Sequence, residues 1–141
     1  MVIVAAVDRS ERASAVVEEA EIVAASFDES VHVVHVLTRS DFVELGTTRA
    51  ESGDPIDMDE VRETARSIAK EAGGQLAVPH DCVGLVGDPD TEIIEYANRH
   101  DARYIVVTGK KRSPVGKALF GSVAQAILLK ADRPVIVTMS S

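Results

Sequence analysis

Short, wholly apolar runs alternate along this chain with stretches whose apolar residues recur every three to four positions. That alternation predicts a parallel sheet buried on both faces, its strands joined by amphipathic helices. VIVAAV, from Val2 to Val7, is the first strand. Asp8 and Ser10 then supply turn and N-cap chemistry ahead of a helix with Ala13, Val16, Val17, Ala20 and Val23 on one face. VHVVHVL, from Val31 to Leu37, is the second strand, and a polar connection from Thr38 to Pro55 follows, long for such a fold. Asp57 and Glu60 have capping-box spacing before a helix whose face is Met58, Val61, Ala65, Ile68 and Ala72, closed by Gly73 and Gly74. Pro79 confines the third strand, somewhere between Leu76 and Val86, to a sheet edge or to its later CVGLV portion. Asp88 as N-cap and Pro89 at the first helical position open a helix burying Ile93, Ile94 and Ala97. YIVVT, from Tyr104 to Thr108, is the fourth strand. A loop from Lys110 to Ser122, a helix from Ser122 to about Lys130, and the strand PVIVTM from Pro134 complete the chain.

Right-handed crossovers turn this order into a five-stranded, doubly wound parallel sheet between two layers of helices, in which strands one and four are neighbours. At 141 residues the chain is expected to form one domain, residues 1–141, with a core of Ala, Val, Ile and Leu, since Trp is absent. Cys82, the single cysteine, lies in an apolar stretch and reads as a buried structural thiol. No apolar run approaches the roughly 18 residues of a membrane span, and the first residues lack a basic signal-peptide region, so a cytoplasmic location is expected. His32 and His35 lie three apart in a strand and point to opposite faces, which is wrong for shared metal ligation; His80 and His100 have no assignable partner. No metal site is expected. No nucleophile elbow or Ser-His-Asp order is found, and Glu18, Glu19 and Glu21 read as a solvated helix face.

Charge changes the picture at one place. Lys110, Lys111, Arg112 and Lys117 put +4 on the loop KKRSPVGKALFGS, which leaves −12 on the rest of a chain whose net charge is −8. Such a concentration of cations points to an anionic ligand. Gly121 and Ser122 precede an apolar helical run, where unpaired N–H groups and the positive helix end suit phosphate. The alternative is a solvated basic loop with Ser122 as an ordinary N-cap. One short basic loop in an acidic chain is not the broad basic face of a nucleic-acid binder. Ten Arg against five Lys in an acidic chain suggests a high-salt cytoplasm. Asp8 at the end of strand one would face the loop after strand four, pairing an acceptor for ribose or base with donors for phosphate, which favours a nucleotide over bare phosphate.

Four segments, VIVAAVDRSERA, VHVVHVL, GDPDTEIIEYANRHDARYIVVTG and GKALFGSVAQAILLKADRPVIV, together resemble the universal stress proteins over essentially the whole chain. The resemblance implies a flavodoxin-like or Rossmann-like fold with strand order 3-2-1-4-5, homodimers paired through the last strand from Pro134 to Met139, and in many members ATP binding, with Mg2+ alongside. It implies a regulator of stress responses, with at most slow ATP hydrolysis. By the resemblance Val7 and Asp8 match contacts to adenosine, Val36 the contact to adenine, Val107 the residue before the phosphate loop, and Gly121, Ser122 and Val123 the phosphate contacts. Asp8 reads equally as a turn-former, and Val36 and Val107 as core. The family loop has glycine, two residues, glycine, nine residues, glycine, then Ser or Thr; a gapless match places Thr108 and Lys111 at the first two glycines. A Cβ there can block the approach of phosphate, whereas the ammonium of Lys111, or of Lys110 beside it, can bind a phosphate oxygen directly. The departure keeps open a second reading, a dimerisation or protein-interaction module whose basic loop grips an anion or an acidic partner.

Overall fold

In the computed structural model, residues 1–38, 40–41, 43–44, 57–111 and 118–140 are described. In chain order the elements are β1 (Val2–Ala6), α1 (Ala13–Phe27), β2 (Ser30–Leu37), α2 (Met58–Gly73), β3 (His80–Val86), α3 (Pro89–Arg99), β4 (Ala102–Lys111), β5 (Ala118–Leu119), α4 (Ser122–Lys130) and β6 (Val135–Ser140). Five strands pair in parallel in the order β3-β2-β1-β4-β6. This is the 3-2-1-4-5 order expected, with β6 as the fifth parallel strand. The two-residue β5 adds antiparallel to β4, Lys110 facing Leu119 and Lys111 facing Ala118. Because Lys110 also pairs with Ser140 of β6, β5 occupies the edge of β4 that β1 leaves free beyond its last residue.

Alternation along the strands divides the core. Ile3, Ala5, Val31 and Val33 face one side and pack with Ala13, Val16, Val17 and Ala20 of α1 and Ala69 of α2. Val4, Val34, Ile105 and Val107 face the other and pack with Ile93, Tyr96 and Ala97 of α3 and Ala124 and Ile127 of α4. Strands covered on both faces need apolar residues at every position, which is why their sequence shows runs rather than alternation. Each fully buried Val or Ile contributes about 1.5–3 kcal/mol by leaving water.

Local differences from the sequence reading have physical causes. Asp8 and Ser10 form a turn, but the N-cap of α1 is Arg12, with no side-chain cap. Asp57 does cap α2, accepting from Asp59 N at 2.9 Å, one residue earlier than capping-box geometry requires. The buried face of α2 is Val61, Ala65, Ala69 and Gly73, with Met58 exposed, because small residues let the helix lie directly on the sheet. A Cβ on Gly73 would stand 2.7 Å from Val33 Cγ2. Tyr96 joins Ile93 and Ala97 as the buried residues of α3, and Ile94 is half-buried. Cys82 is half-buried on the edge strand β3, and desolvation is the main effect pushing its thiol pKa up. Most of the Thr38 to Pro55 connection, and the basic-loop residues Arg112 to Lys117, lie outside the described residues.

Candidate functional site

Where β1 ends beside β4, the crevice between the starts of α1 and α4 opens into a cavity of about 540 Å³. That volume lies within the range of small-molecule sites, about 300–1,000 Å³. Val7, Val36, Ile93, Val107 and Ile127 supply apolar lining; Asp8, Arg9, Arg12, Thr38, Asp41 and the first turn of α4 supply polar groups.

Of the residues singled out from sequence, Val7, Asp8, Val36, Val107, Thr108, Gly121, Ser122 and Val123 all line this one cavity. Lys110 and Lys111, read as loop, are instead the last residues of β4, and their side chains lie outside the described residues. Sequence reasoning did not single out Arg9, Arg12, His35 or Asp41. The signal for the two arginines was present in DRSER, directly after strand one, whose carboxyl end opens onto the cavity.

The end of β1 is pinned from two directions. Val7 N donates to Val34 O at 2.9 Å, and His35 Nδ1 donates to Val7 O at 2.8 Å. A carbonyl can only accept, so Nδ1 carries the proton, and His35 Nε2 is left buried with no partner among the described residues. Asp8 follows immediately. Its Oδ1 accepts from Ser10 N at 2.8 Å and from Ser10 Oγ, and Ser10 Oγ accepts in turn from Arg12 N at 3.2 Å. One carboxylate oxygen therefore organises the turn, and Asp8 Oδ2 accepts no hydrogen bond from the described residues. Across the rim, Asp41 Oδ2 accepts from Thr38 N at 3.1 Å and Thr38 Oγ1 at 3.0 Å.

The other wall is the amino end of α4. Gly121, not Ser122, is its N-cap, at φ −65° and ψ 164°, and Gln125 N closes the first helical bond onto Gly121 O at 3.0 Å. The N–H groups of Ser122, Val123 and Ala124 thus precede any intrahelical partner. No side chain caps this end and its first turn holds no acid, whereas α2 has Asp59 and Glu60 there and α3 has Asp90 and Glu92. A Cβ on Gly121 would meet no atom within 4 Å, so the space above it is open. The arrangement presents a positive helix end and a free carboxylate oxygen around an apolar slot, which suits an uncharged, flat group carrying an anionic tail.

A second polar cluster lies among β2, β3 and the end of α3. Tyr96 Oη and His32 Nδ1 are 2.6 Å apart, His32 Nε2 lies 3.6 Å from Asp81 Oδ2, and His100 stacks on Tyr96 at 4.0 Å between ring centroids. His100 therefore has the partner that sequence alone did not assign. Desolvation pushes Tyr96 up to about 12 and lowers the pKa of His32, where Asp81 opposes the shift and His100 reinforces it. His32 and His35 do face opposite sides of the sheet. No three His, Cys, Asp or Glu side chains gather as metal ligands among the described residues, and no helix among them is long and apolar enough to cross a membrane.

Residues 1–138 match the sequence model of the Universal stress protein family. The chain belongs to that family. It is 42% identical over 53 residues to the stress response protein NhaX of Bacillus subtilis, covering 38% of this chain and 32% of that one. It is 29% identical over 116 residues to universal stress protein MJ0531 of Methanocaldococcus jannaschii, covering 82% and 68%. The match to the Bacillus protein thus spans about a third of its length. Among solved structures, a universal stress protein from Archaeoglobus fulgidus is 34% identical with a TM-score of 0.65, covering 97% of both chains. The universal stress protein from Archaeoglobus fulgidus in complex with dAMP is 29% identical with a TM-score of 0.61, covering 97% of this chain and 96% of that one.

This universal stress protein has Gly121 and Ser122 at the start of α4, and Thr108 and Lys111 in β4. Thr108 pairs with Thr138 in β6, and Lys111 pairs with Ala118 in β5. Both positions are regular strand, so neither needs the conformational freedom of glycine.

Proposed function

We propose that this protein binds an adenine nucleotide between the carboxyl ends of β1 and β4 and acts as a homodimeric, cytoplasmic regulator of a stress response, the nucleotide biasing a conformation rather than being turned over. One observation carries the reading: Asp8 and the bare, open start of α4 at Gly121 line the same apolar slot. The dAMP complex of the Archaeoglobus fulgidus protein, 29% identical and matched along 97% of this chain, supports an adenine ligand. Val7, Asp8 and Val36 would hold the adenosine; Val107 and Thr108 would lie beneath it; and Gly121, Ser122 and Val123 would receive phosphate. Lys110 and Lys111 would add charge from the end of β4. Asp8 offers a single free oxygen, so Mg2+ is expected only as the counter-ion that ATP brings with it. Dimerisation would use the outer edge of β6, whose only partner among the described strands is β4.

A second reading has its own support. With Thr108 and Lys111 in regular strand, β4 does not form a glycine cradle at those positions. A module that grips an inorganic anion or an acidic partner through its basic residues fits that feature. Calorimetry separates the two, using nucleotide-stripped protein with ATP and Mg2+, AMP or inorganic phosphate, at low and molar salt. Affinity for adenine nucleotides of about micromolar Kd, weakened by Asp8→Asn, supports the first reading. Equal affinity for ATP and inorganic phosphate sinks it and leaves the second.

A further inference from the structure

Arg9 and Arg12 line the cavity, and neither guanidinium makes a hydrogen bond or ion pair with a described residue. That is unusual company in a chain of net charge −8. Of the other described arginines, Arg62, Arg66, Arg103 and Arg133 each hold a carboxylate, and the exposed Arg99 on α3 does not. Asp8, the acid adjacent to Arg9, commits one oxygen to Ser10 instead, and Glu11, adjacent to Arg12, makes no ion pair with it. Through Ser10 Oγ the same turn fixes Arg12 N, and Arg12 O accepts from Ala15 N and Val16 N. The backbone under Arg12 is therefore held in place while its charged head stays unpaired.

Two further features bear on what that head is for. Of the three helices that begin at this cavity, α1 and α4 have no acid in the first turn, whereas α3, whose Pro89 also lines it, has Asp90 and Glu92 there. The ends of α1 and α4 therefore carry no acid of their own, and the two guanidiniums have no hydrogen-bond or ion-pair partner among the described residues, although the carboxylates of Asp8 and Asp41 line the same cavity. Thr108 and Lys111 lie in regular strand, so β4 offers no glycine cradle at those positions.

We propose that Arg12, with Arg9 beside it, binds the phosphate of the nucleotide from the side of the cavity opposite Gly121 to Ala124, so that the ligand must carry at least one phosphate and adenosine does not suffice. The inference rests on the cavity being an adenine-nucleotide site. Arg12 leads because it is half-buried on a fixed stem, while Arg9 is exposed. A guanidinium presents paired N–H donors that match two phosphate oxygens, and the charge-assisted bonds are about twice as strong as neutral ones.

The test is calorimetric titration of the full chain with AMP and with adenosine, for the wild type, Arg12→Gln, Arg9→Gln and Arg99→Gln. Arg99, an exposed residue on the last turn of α3, controls for a general loss of positive charge. The wild type should bind AMP at least tenfold more tightly than adenosine. Arg12→Gln should lose about tenfold for AMP and nothing for adenosine, Arg9→Gln less, and Arg99→Gln neither. Thermal melts confirm that the variants fold. Unchanged AMP affinity in Arg12→Gln overturns the inference while leaving the adenine site standing, as does wild-type protein that binds adenosine and AMP alike. Equal losses for AMP and adenosine also overturn it, because the arginine would then be stacking on the base. Wild-type protein that binds neither removes the site itself, and the inference with it.

Discussion

The imidazole of His35 donates from Nδ1 to the carbonyl oxygen of Val7 at 2.8 Å, one peptide unit before the carboxylate of Asp8. β1 ends at Ala6, so this bond and Val7 N to Val34 O are what carry strand geometry on to the cavity. His35→Ala removes a buried side chain and strands the Val7 carbonyl. The expected loss is about 2–4 kcal/mol in urea unfolding. Because Asp8 then hangs from a looser segment, the effect of Asp8→Asn on nucleotide affinity should shrink in the His35→Ala background; an undiminished effect would show that His35 does not position Asp8.

Two glycines separate folding from binding. A Cβ on Gly84 would stand 2.3 Å from both Arg62 O and Arg66 N, backbone atoms of α2 that cannot move aside, so Gly84→Ala should unfold readily or fail to accumulate. At Gly121 the same Cβ meets nothing within 4 Å and φ is −65°, open to any residue. Gly121→Ala should change stability by less than about 1 kcal/mol yet weaken nucleotide binding, as its methyl enters the space assigned to phosphate. Thermal melts beside calorimetry check both, and normal binding by Gly121→Ala would remove phosphate from that end of α4.

His32 gives stability a pH dependence of known sign. Burial lowers its folded pKa below the unfolded value of 6.5, so the unfolded chain takes up a proton first as pH falls. The contribution is complete above pH 6.5 and is lost as pH drops below it, through the depressed folded value. Urea midpoints at pH 7 and pH 5 should differ more for the wild type than for His32→Asn. Equal differences would mean that the imidazole in contact with Tyr96, Asp81 and His100 does not titrate as the structure requires.

If β6 is the dimer edge, Met139→Lys should dissociate the protein. Met139 is 38% exposed near the end of that strand, and in a pair of edges like charges would be brought together. Sedimentation equilibrium should show dimer for the wild type and monomer for the variant; a dimer in both places the interface elsewhere.

The strand order was legible because fully apolar runs, separated by helical periods, leave few ways to wind a parallel sheet. The candidate slot was legible for a related reason: Val36 and Val107 sit on strands, and Val7 just past one, whose carboxyl ends lie near the point where the winding reverses. What escaped was set by contacts across the fold. Ala69 and Gly73 are buried positions of α2, while Ile68 and Ala72 pack against the core only partly buried; Val33 leaves no room for a Cβ at Gly73, and periodicity does not report a partner's shape. Lys110 and Lys111 read as loop because their charge hides a strand extended by β5 and β6. Arg9 and Arg12 were overlooked because a short DRSER turn looks like solvated surface until Asp8 is seen to spend an oxygen on Ser10 rather than on either guanidinium.

Backbone amide shifts of the labelled protein during titration with AMP test the central claim most directly. Binding between β1 and β4 predicts saturable shifts at Val7, Asp8 and Val36 and at Ser122, Val123 and Ala124, whose N–H groups precede the first helical bond of α4. Shifts confined to the Lys110–Lys111 end of β4, or absent at every concentration, would contradict it.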